Sequence, residues 1–268
     1  MNADAARRSS PLSGLFGVFG RLAFAATMEY KRRADEPELA LLPRLLRPDR
    51  AFLDVGANVG LYSYVARRRA SQIYAVEPHP KMAAALRRNF AGDVEVLEFA
   101  LSDHEGSASL HVPEHEGGEL TSRSSLEAEA NPGFGERQLE VELHRLDGLS
   151  LPPLGLVKID VEGHEKAVLL GAEETLARDR PALIVEIEER HHPGESARIF
   201  ALLGGWGYDG FFLDSGRLRP IARFDPKLHQ RPEDIKRPGS KRASGYINNF
   251  IFVPDDDAGL RERLLRSA

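Results

Sequence analysis

The chain contains no cysteine in 268 residues. Disulfide scaffolds, thiolate-bound zinc, iron–sulfur clusters and a cysteine nucleophile are therefore excluded. Zero cysteine fits a reducing and an oxidising compartment equally. A basic excess is lacking as well: 36 Lys and Arg stand against 41 Asp and Glu, for a net charge of −5. A general nucleic-acid binder would show the opposite balance, so no nucleic-acid partner is expected. No apolar run approaches the roughly 20 residues a membrane-spanning helix needs. No internal repeat is visible. What is there is ordinary for a globular protein: 42% hydrophobic and 29% charged residues, with 24 Gly and 17 Pro. The length leaves room for one large domain or two small ones.

Near the start, Arg7 and Arg8 precede an apolar stretch over residues 12–26, and Ala23-Phe24-Ala25 resembles a signal-peptidase site. Arg21 interrupts that stretch, and Gly14, Gly17 and Gly20 dilute it. Leu15, Phe19, Leu22, Phe24 and Met28 fall instead on helical spacing. The segment reads as a capping or membrane-surface helix, with peripheral membrane contact as its sharper use.

From residue 51 short apolar runs alternate with helical stretches. Residues 51–55, 72–77 and 94–97 read as strands, with helices over 61–69 and 80–90 between and beside them. A strand over 107–112 is followed by a Glu-, Gly- and Ser-rich stretch, 113–137, without apolar periodicity, which reads as a mobile loop or insertion. Strands over 139–143, 156–161 and 182–188, helices over 164–178 and 197–203, and strands over 208–213 and 247–253 complete the pattern. Residues 217–242 form a Pro-rich basic excursion, read as a solvated loop or as a lid for an anionic acceptor. Its charges include Lys227, Arg231, Lys236, Arg237, Lys241 and Arg242. Strand–helix alternation predicts a parallel sheet with helices on both faces, and the last two strands an antiparallel pair at its edge. Ligands of such sheets bind beyond the carboxyl ends of the strands.

Four strand ends carry candidate chemistry. Asp54-Val55-Gly56-Ala57-Asn58-Val59-Gly60 joins a strand to a helix. Its G-x-N-x-G spacing lets a ligand approach the main chain but is not the dinucleotide fingerprint. An ordinary tight turn explains it equally. Glu77, before Pro78 at the second strand end, suits a ribose diol. After the third strand, Leu101 suits a purine face and Asp103 its exocyclic amine, although Ser102-Asp103 is also good turn chemistry. The fourth run, Lys158-Ile159-Asp160-Val161-Glu162-Gly163-His164-Glu165, places two carboxylates two apart, on one face while the strand persists. Capping of the next helix is the plainer reading of Glu162 and Glu165. His191 and His192, beyond a later strand, also fall on this edge.

These runs, together with Ser124-Ser125-Leu126, Arg145-Leu146-Asp147 and Asn249-Phe250-Ile251-Phe252-Val253-Pro254, resemble the FkbM family of methyltransferases from about residue 51 to 254. The resemblance implies a class I methyltransferase (Rossmann-like) fold: a seven-stranded, mostly parallel α/β sheet with an antiparallel edge. Residues 1–50 would then be an N-terminal helical extension, 51–254 the catalytic domain and 255–268 a tail. It implies S-adenosyl-L-methionine as donor and O-methylation of a small-molecule or glycan acceptor: a sugar, glycolipid or natural product. Gly56, Asn58 and Gly60 would lie under the methionine part, Asp54 near its amino end, Glu77 on the ribose and Asp103 on adenine. Asp160 would close the site near the methyl group. His164 is the first candidate base, because its ordinary pKa lies near neutrality. Asp160 and Glu162 are alternatives, as a base, as acceptor-orienting groups or as holders of a divalent cation. A cytoplasmic setting is expected, where such a donor is made and used. A nicotinamide-dependent oxidoreductase and a non-catalytic cofactor-fold scaffold remain as rival readings.

Overall fold

The computed structural model describes residue 20 and residues 23–32, 36–115, 117–128, 130–131, 133–234 and 245–266. Most of the apolar stretch 12–26, and with it Leu15, Phe19 and Leu22, lies outside the described residues. So do Lys236, Arg237, Lys241 and Arg242 of the basic excursion.

Helix α1 covers residues 23–32. A 3-10 turn (Pro37–Ala40) leads to α2 (Leu42–Leu45) and β1 (Ala51–Val55). Alternation follows: α3 (Leu61–Ala66), β2 (Ile73–Val76), α4 (Pro80–Phe90) and β3 (Glu95–Leu97). Four strands come next: β4 (Ala100–Leu101), β5 (Gly106–His115), β6 (Gly118–Glu119) and β7 (Gly135–His144). Then come β8 (Leu154–Ile159), α5 (Glu165–Leu170), α6 (Glu173–Asp179), β9 (Ala182–Glu186) and α7 (Glu195–Gly205). The chain closes with β10 (Tyr208–Asp214), β11 (Arg217–Pro220), α8 (Pro226–His229), β12 (Asn249–Pro254) and α9 (Ala258–Leu265).

The main sheet has eight strands in the order β11-β10-β12-β9-β8-β1-β2-β3. Strands β3, β2, β1, β8 and β9 are parallel neighbours. β12 runs antiparallel between β9 and β10. The antiparallel pair is therefore present, but β12 is inserted two places inside the edge, between β9 and β10. The count exceeds seven because residues 217–220 fold back on β10 through Ser215 and Gly216, both at positive φ (49° and 77°). Such φ values are what a tight hairpin requires.

Strands β1, β2, β8 and β12 are buried throughout, which is why they read as unbroken apolar runs. The pleat sends alternate side chains to two apolar layers. One joins Leu53, Val157 and Val185 to Val168, Leu176 and Leu203 of α5, α6 and α7. The other joins Phe52, Leu156 and Ile184 to Leu42, Leu86 and Leu264 of α2, α4 and α9. The Arg44 guanidinium donates to the Leu264 and Arg266 carbonyls at 3.2 and 2.7 Å, tying α2 to the end of α9.

The loop expected over 113–137 is partly a second sheet, in the order β4-β7-β5-β6. Strands β5 and β7 pair from Gly106 opposite Leu143 to Glu114 opposite Gly135. Only Leu110, Val112, Val141, Leu143 and Ala100 form its buried core, so much of the ladder carries polar residues and shows no apolar signal. The helix expected over 164–178 is two helices, α5 and α6, parted at Gly171, where a Cβ would stand 1.9 Å from the Ser102 carbonyl oxygen. No helix among the described residues is long and apolar enough to cross a membrane.

Leu264 is fully buried in α9. Leu264→Ala is expected to lower unfolding free energy by about 2–4 kcal/mol in a urea titration, as a core cavity does. A loss below about 0.5 kcal/mol, the range of ordinary surface substitutions, would show that α9 does not contribute to the core.

Candidate functional site

Beyond the carboxyl ends of β1, β2 and β8 lies a cleft. Its roof is Thr121, Ser122, Ser124, Ser125 and Leu126, from the connection between β6 and β7 of the second sheet. Asp54, Gly56, Asn58, Glu77, Leu101, Asp160, Glu162 and His164 all line it. Gly60 and Asp103 do not: Gly60 packs toward Leu86 and Phe90, and the Asp103 carboxylate turns outward to His104 Nδ1 at 2.6 Å.

The first wall is the turn after β1. Gly56 has φ 74°, and a Cβ there would fall 1.8 Å from the Asp160 carbonyl oxygen, so the turn lies directly against the end of β8. Asn58 adopts φ 46°, and Gly60 precedes α3 at φ 80°. Asp54 is buried, and its Oδ2 accepts from the Ser63 amide (3.0 Å) and hydroxyl (2.6 Å), which ties α3 to β1. Burial pushes Asp54 up to about 6, against the pull of Ser63 and Lys158. Glu77 is buried as well. Its Oε2 accepts from the Asn58 amide at 2.7 Å and its Oε1 from the His79 amide at 2.9 Å. Burial still raises it to about 7.

Opposite stands Lys158, which is 1% exposed. Its ammonium donates to Asn249 Oδ1 (3.0 Å) and the Ile159 carbonyl (3.3 Å). It stands 3.7 Å from Asp160 and 3.9 Å from Glu186. Burial works against its charge, but Asp160, Glu186 and Glu36 outweigh that and hold Lys158 above the ordinary lysine value. Burial pushes Asp160 up to about 6 despite Lys158. Desolvation, and then the neighbouring Asp160 carboxylate, push half-buried Glu186 well above its ordinary value. Glu36 completes the group, accepting from Asn249 Nδ2 (3.1 Å) and the Tyr62 hydroxyl (3.4 Å).

Asp160 and Glu162 do not share a face, because β8 ends at Ile159 and Glu162 takes φ 52°. The Glu162 carboxylate accepts instead from Arg190 (2.7 Å) and His191 Nε2 (3.1 Å). Glu165, not Glu162, closes the turn before α5, accepting from the Gly163 and Val161 amides at 3.0 and 3.2 Å. Among the described residues no group of three or more His, Asp or Glu is placed to hold a metal ion.

His164 is held at both nitrogens: Nδ1 lies 2.7 Å from Glu127 Oε1 and Nε2 2.9 Å from the buried Ser102 hydroxyl. A Glu127 carboxylate accepts from Nδ1–H, which leaves Nε2 the acceptor for Ser102. The Ser125 hydroxyl donates to the Glu162 carbonyl (2.6 Å) and accepts from the Glu127 amide (2.9 Å), pinning roof to floor. His192 is more exposed, 3.8 Å from Glu127. Sequence reasoning missed Glu127, Glu36 and the enclosure of Lys158. The Ser124-Ser125-Leu126 motif pointed to the first, which follows it directly, and nothing local marked Glu36.

The sequence profile of the methyltransferase FkbM domain matches residues 54–209. The 2-O-methyltransferase NoeI of Sinorhizobium fredii is 28% identical over 152 residues, which are 51% of this chain and 63% of that protein. The 31-O-demethyl-FK506 methyltransferase FkbM of Streptomyces tacrolimicus is 30% identical over 198 residues, covering 61% and 74%. The hexuronic acid methyltransferase AglP of Haloferax volcanii is 24% identical over 201 residues, covering 72% and 81%. The crystal structure of methyltransferase FkbM from Methylobacillus flagellatus KT shares the fold, with TM-score 0.51 and 14% identity over 84% of this chain and 50% of that one. The chain thus spans less than two thirds of NoeI and half of that crystallised protein.

Asp54, Glu77 and Asp160 all titrate higher folded than unfolded, so folding takes up protons between about pH 4 and 7. Their contribution to stability is full below their unfolded values and is lost as pH rises through about 6 and 7. The melting temperature of the ligand-free protein is therefore expected to be higher at about pH 5 than at about pH 8, and Glu77→Gln to flatten that slope. A melting temperature that rises over this interval would contradict the burial of these groups.

Proposed function

This chain belongs to the methyltransferase FkbM family, and on that premise we propose that it moves a methyl group from S-adenosylmethionine to an acceptor hydroxyl. Its sheet is that of the class I methyltransferase fold, with β11 added to the usual seven strands. The observation that carries the reading is the convergence of buried Asp54 and Glu77 with half-buried Asp160 around one glycine-bearing turn in one cleft. Buried carboxylates without full compensation are unfavourable, and a guest of net positive charge offsets them.

The residues present fit that donor. When bound, it supplies a methyl group on a sulfonium, whose leaving group is already activated. Glu77 would accept the ribose hydroxyls through the lone pairs that Asn58 and His79 leave free. The Gly56–Gly60 turn would lie under the methionine part, and Leu101 would line the purine side. Asp54 adds negative potential at the amino end while holding α3 through Ser63. Asp160 would face the reacting centre. The chain's main contribution is alignment of the reacting atoms. His164 Nε2 takes the acceptor's proton in this account once the Ser102 hydroxyl turns from it to Asp103 Oδ1, 3.3 Å away, with Glu127 fixing the ring from the other side. Glu162 is left as a structural ligand of Arg190 and His191, and Asp103 is not assigned to the cofactor.

A sugar, glycolipid or natural-product acceptor is supported by the relatives, whose names specify 2-O-methylation, 31-O-demethyl-FK506 and a hexuronic acid. The family match speaks against the nicotinamide alternative. A cytoplasmic setting accords with the supply of this donor. Incubation with a panel of hydroxylated acceptors should release S-adenosylhomocysteine and add the mass of one methylene to the product. Binding without turnover on any acceptor would favour the scaffold reading.

Glu77→Ala is expected to weaken S-adenosylmethionine binding by roughly 10–100-fold in calorimetry, the scale of losing charge-assisted hydrogen bonds. His164→Gln should leave that affinity intact and lower kcat by roughly 10²–10⁴-fold. Unchanged binding in the first variant removes the ribose assignment, and wild-type turnover in the second removes the base.

A further inference from the structure

The donor proposed above carries an α-carboxylate besides its positive groups, and a cleft walled by Asp54, Glu77 and Asp160 repels a carboxylate. A cation at the cleft offsets that repulsion. Two lysines and no arginine line the cleft among the described residues. Lys158 is 1% exposed, and its ammonium is committed to Asn249, the Ile159 carbonyl and Asp160. Lys31 is half-buried and has neither a hydrogen bond nor an ion pair among the described residues.

Lys31 is not a stray surface charge. Phe24, Met28 and Lys31 follow each other at four and three residues, so they lie along one face of α1. Phe24 packs edge-on against Tyr64 and Phe90, with ring centroids 5.9 and 5.4 Å away. Met28 is 2% exposed. The apolar face that anchors α1 therefore ends in a lysine at the cleft. Five residues further on, Glu36 lines the same cleft and bonds Tyr62 and Asn249. Glu36 thus stands on the β8 side through Asn249 of β12, away from Glu77 at the end of β2 on the other side of β1.

We infer that Lys31 pairs with the α-carboxylate of the methyl donor, which makes α1 a wall of the donor site. The inference rests on the S-adenosylmethionine reading. A lysine in a partly enclosed cleft gives such a pair a charge-assisted hydrogen bond, and its stem lies along apolar surface. It also gives the acidic cleft a local positive end, so that a zwitterionic amino-acid group is oriented rather than merely attracted.

Lys31→Met keeps the length and apolar stem and removes the charge. Wild type and K31M are titrated calorimetrically with S-adenosylhomocysteine and with 5′-methylthioadenosine, which has the nucleoside and thioether but no amino-acid end. K31M is expected to bind S-adenosylhomocysteine about tenfold more weakly, with 5′-methylthioadenosine affinity unchanged and with most of the affinity regained in Lys31→Arg. The salt dependence of S-adenosylhomocysteine binding should weaken in K31M as well. Equal S-adenosylhomocysteine affinity in wild type and K31M overturns the assignment while the donor reading stands. A parallel loss with both probes shows a packing role and also overturns it. A wild-type protein that binds neither probe removes the donor reading itself.

Discussion

One buried ammonium organises the productive edge of this sheet. Lys158 sits one residue before the end of β8 with almost no solvent access, and an unpaired charge there would be prohibitive. Its partners come from elements far apart in the chain. Asn249 opens β12, Glu186 ends β9, Asp160 follows β8, and Glu36 enters ahead of the first strand. The insertion of β12 between β9 and β10 thus has a local consequence, because it brings Asn249 opposite Glu186 and within reach of Lys158. Removing any one partner leaves the others buried with less compensation.

The roof depends on the floor in the same way. Ser125 binds the Glu162 carbonyl, Glu127 holds His164, and Arg190 bridges Glu162 and Glu188. The second sheet is therefore fixed over the cleft through polar contacts, whereas the main sheet is fixed by two apolar layers. Acceptor recognition in this account falls to that roof, where Thr121, Ser122 and Ser124 offer hydroxyls beside Leu110 and Leu126. Such a surface suits a polyhydroxylated partner better than a flat apolar one.

Much of this was legible in the sequence, and the exceptions have physical causes. Interior strands such as β8 and β9 announce themselves because both faces are buried. β5 and β7 do so only in part, over 107–112 and 139–143, because much of their ladder meets water, and β11 was hidden at the start of a basic stretch. At the site, residues placed by the backbone were found: Asp54, Gly56, Glu77 and Leu101 each reach the cleft from a strand end. Residues placed by packing were not. Asp160 and Glu162 were paired by strand periodicity, but the strand stops at Ile159, before either of them. Asp103 belongs to the right strand end yet turns away to His104. Glu36 and Lys31 lie ahead of β1 and meet the cleft only because α1 and the following turn fold across it.

The central claim is that burial keeps protons on the cleft carboxylates until a positively charged guest takes their place. Calorimetric titration of S-adenosylmethionine at about pH 6.5, in buffers of different ionisation enthalpy, counts the protons exchanged on binding. The account predicts release of about one proton per donor bound, as groups that titrate near 6 to 7 in the free protein ionise around the cation. Binding with no proton release, or with proton uptake, would contradict it.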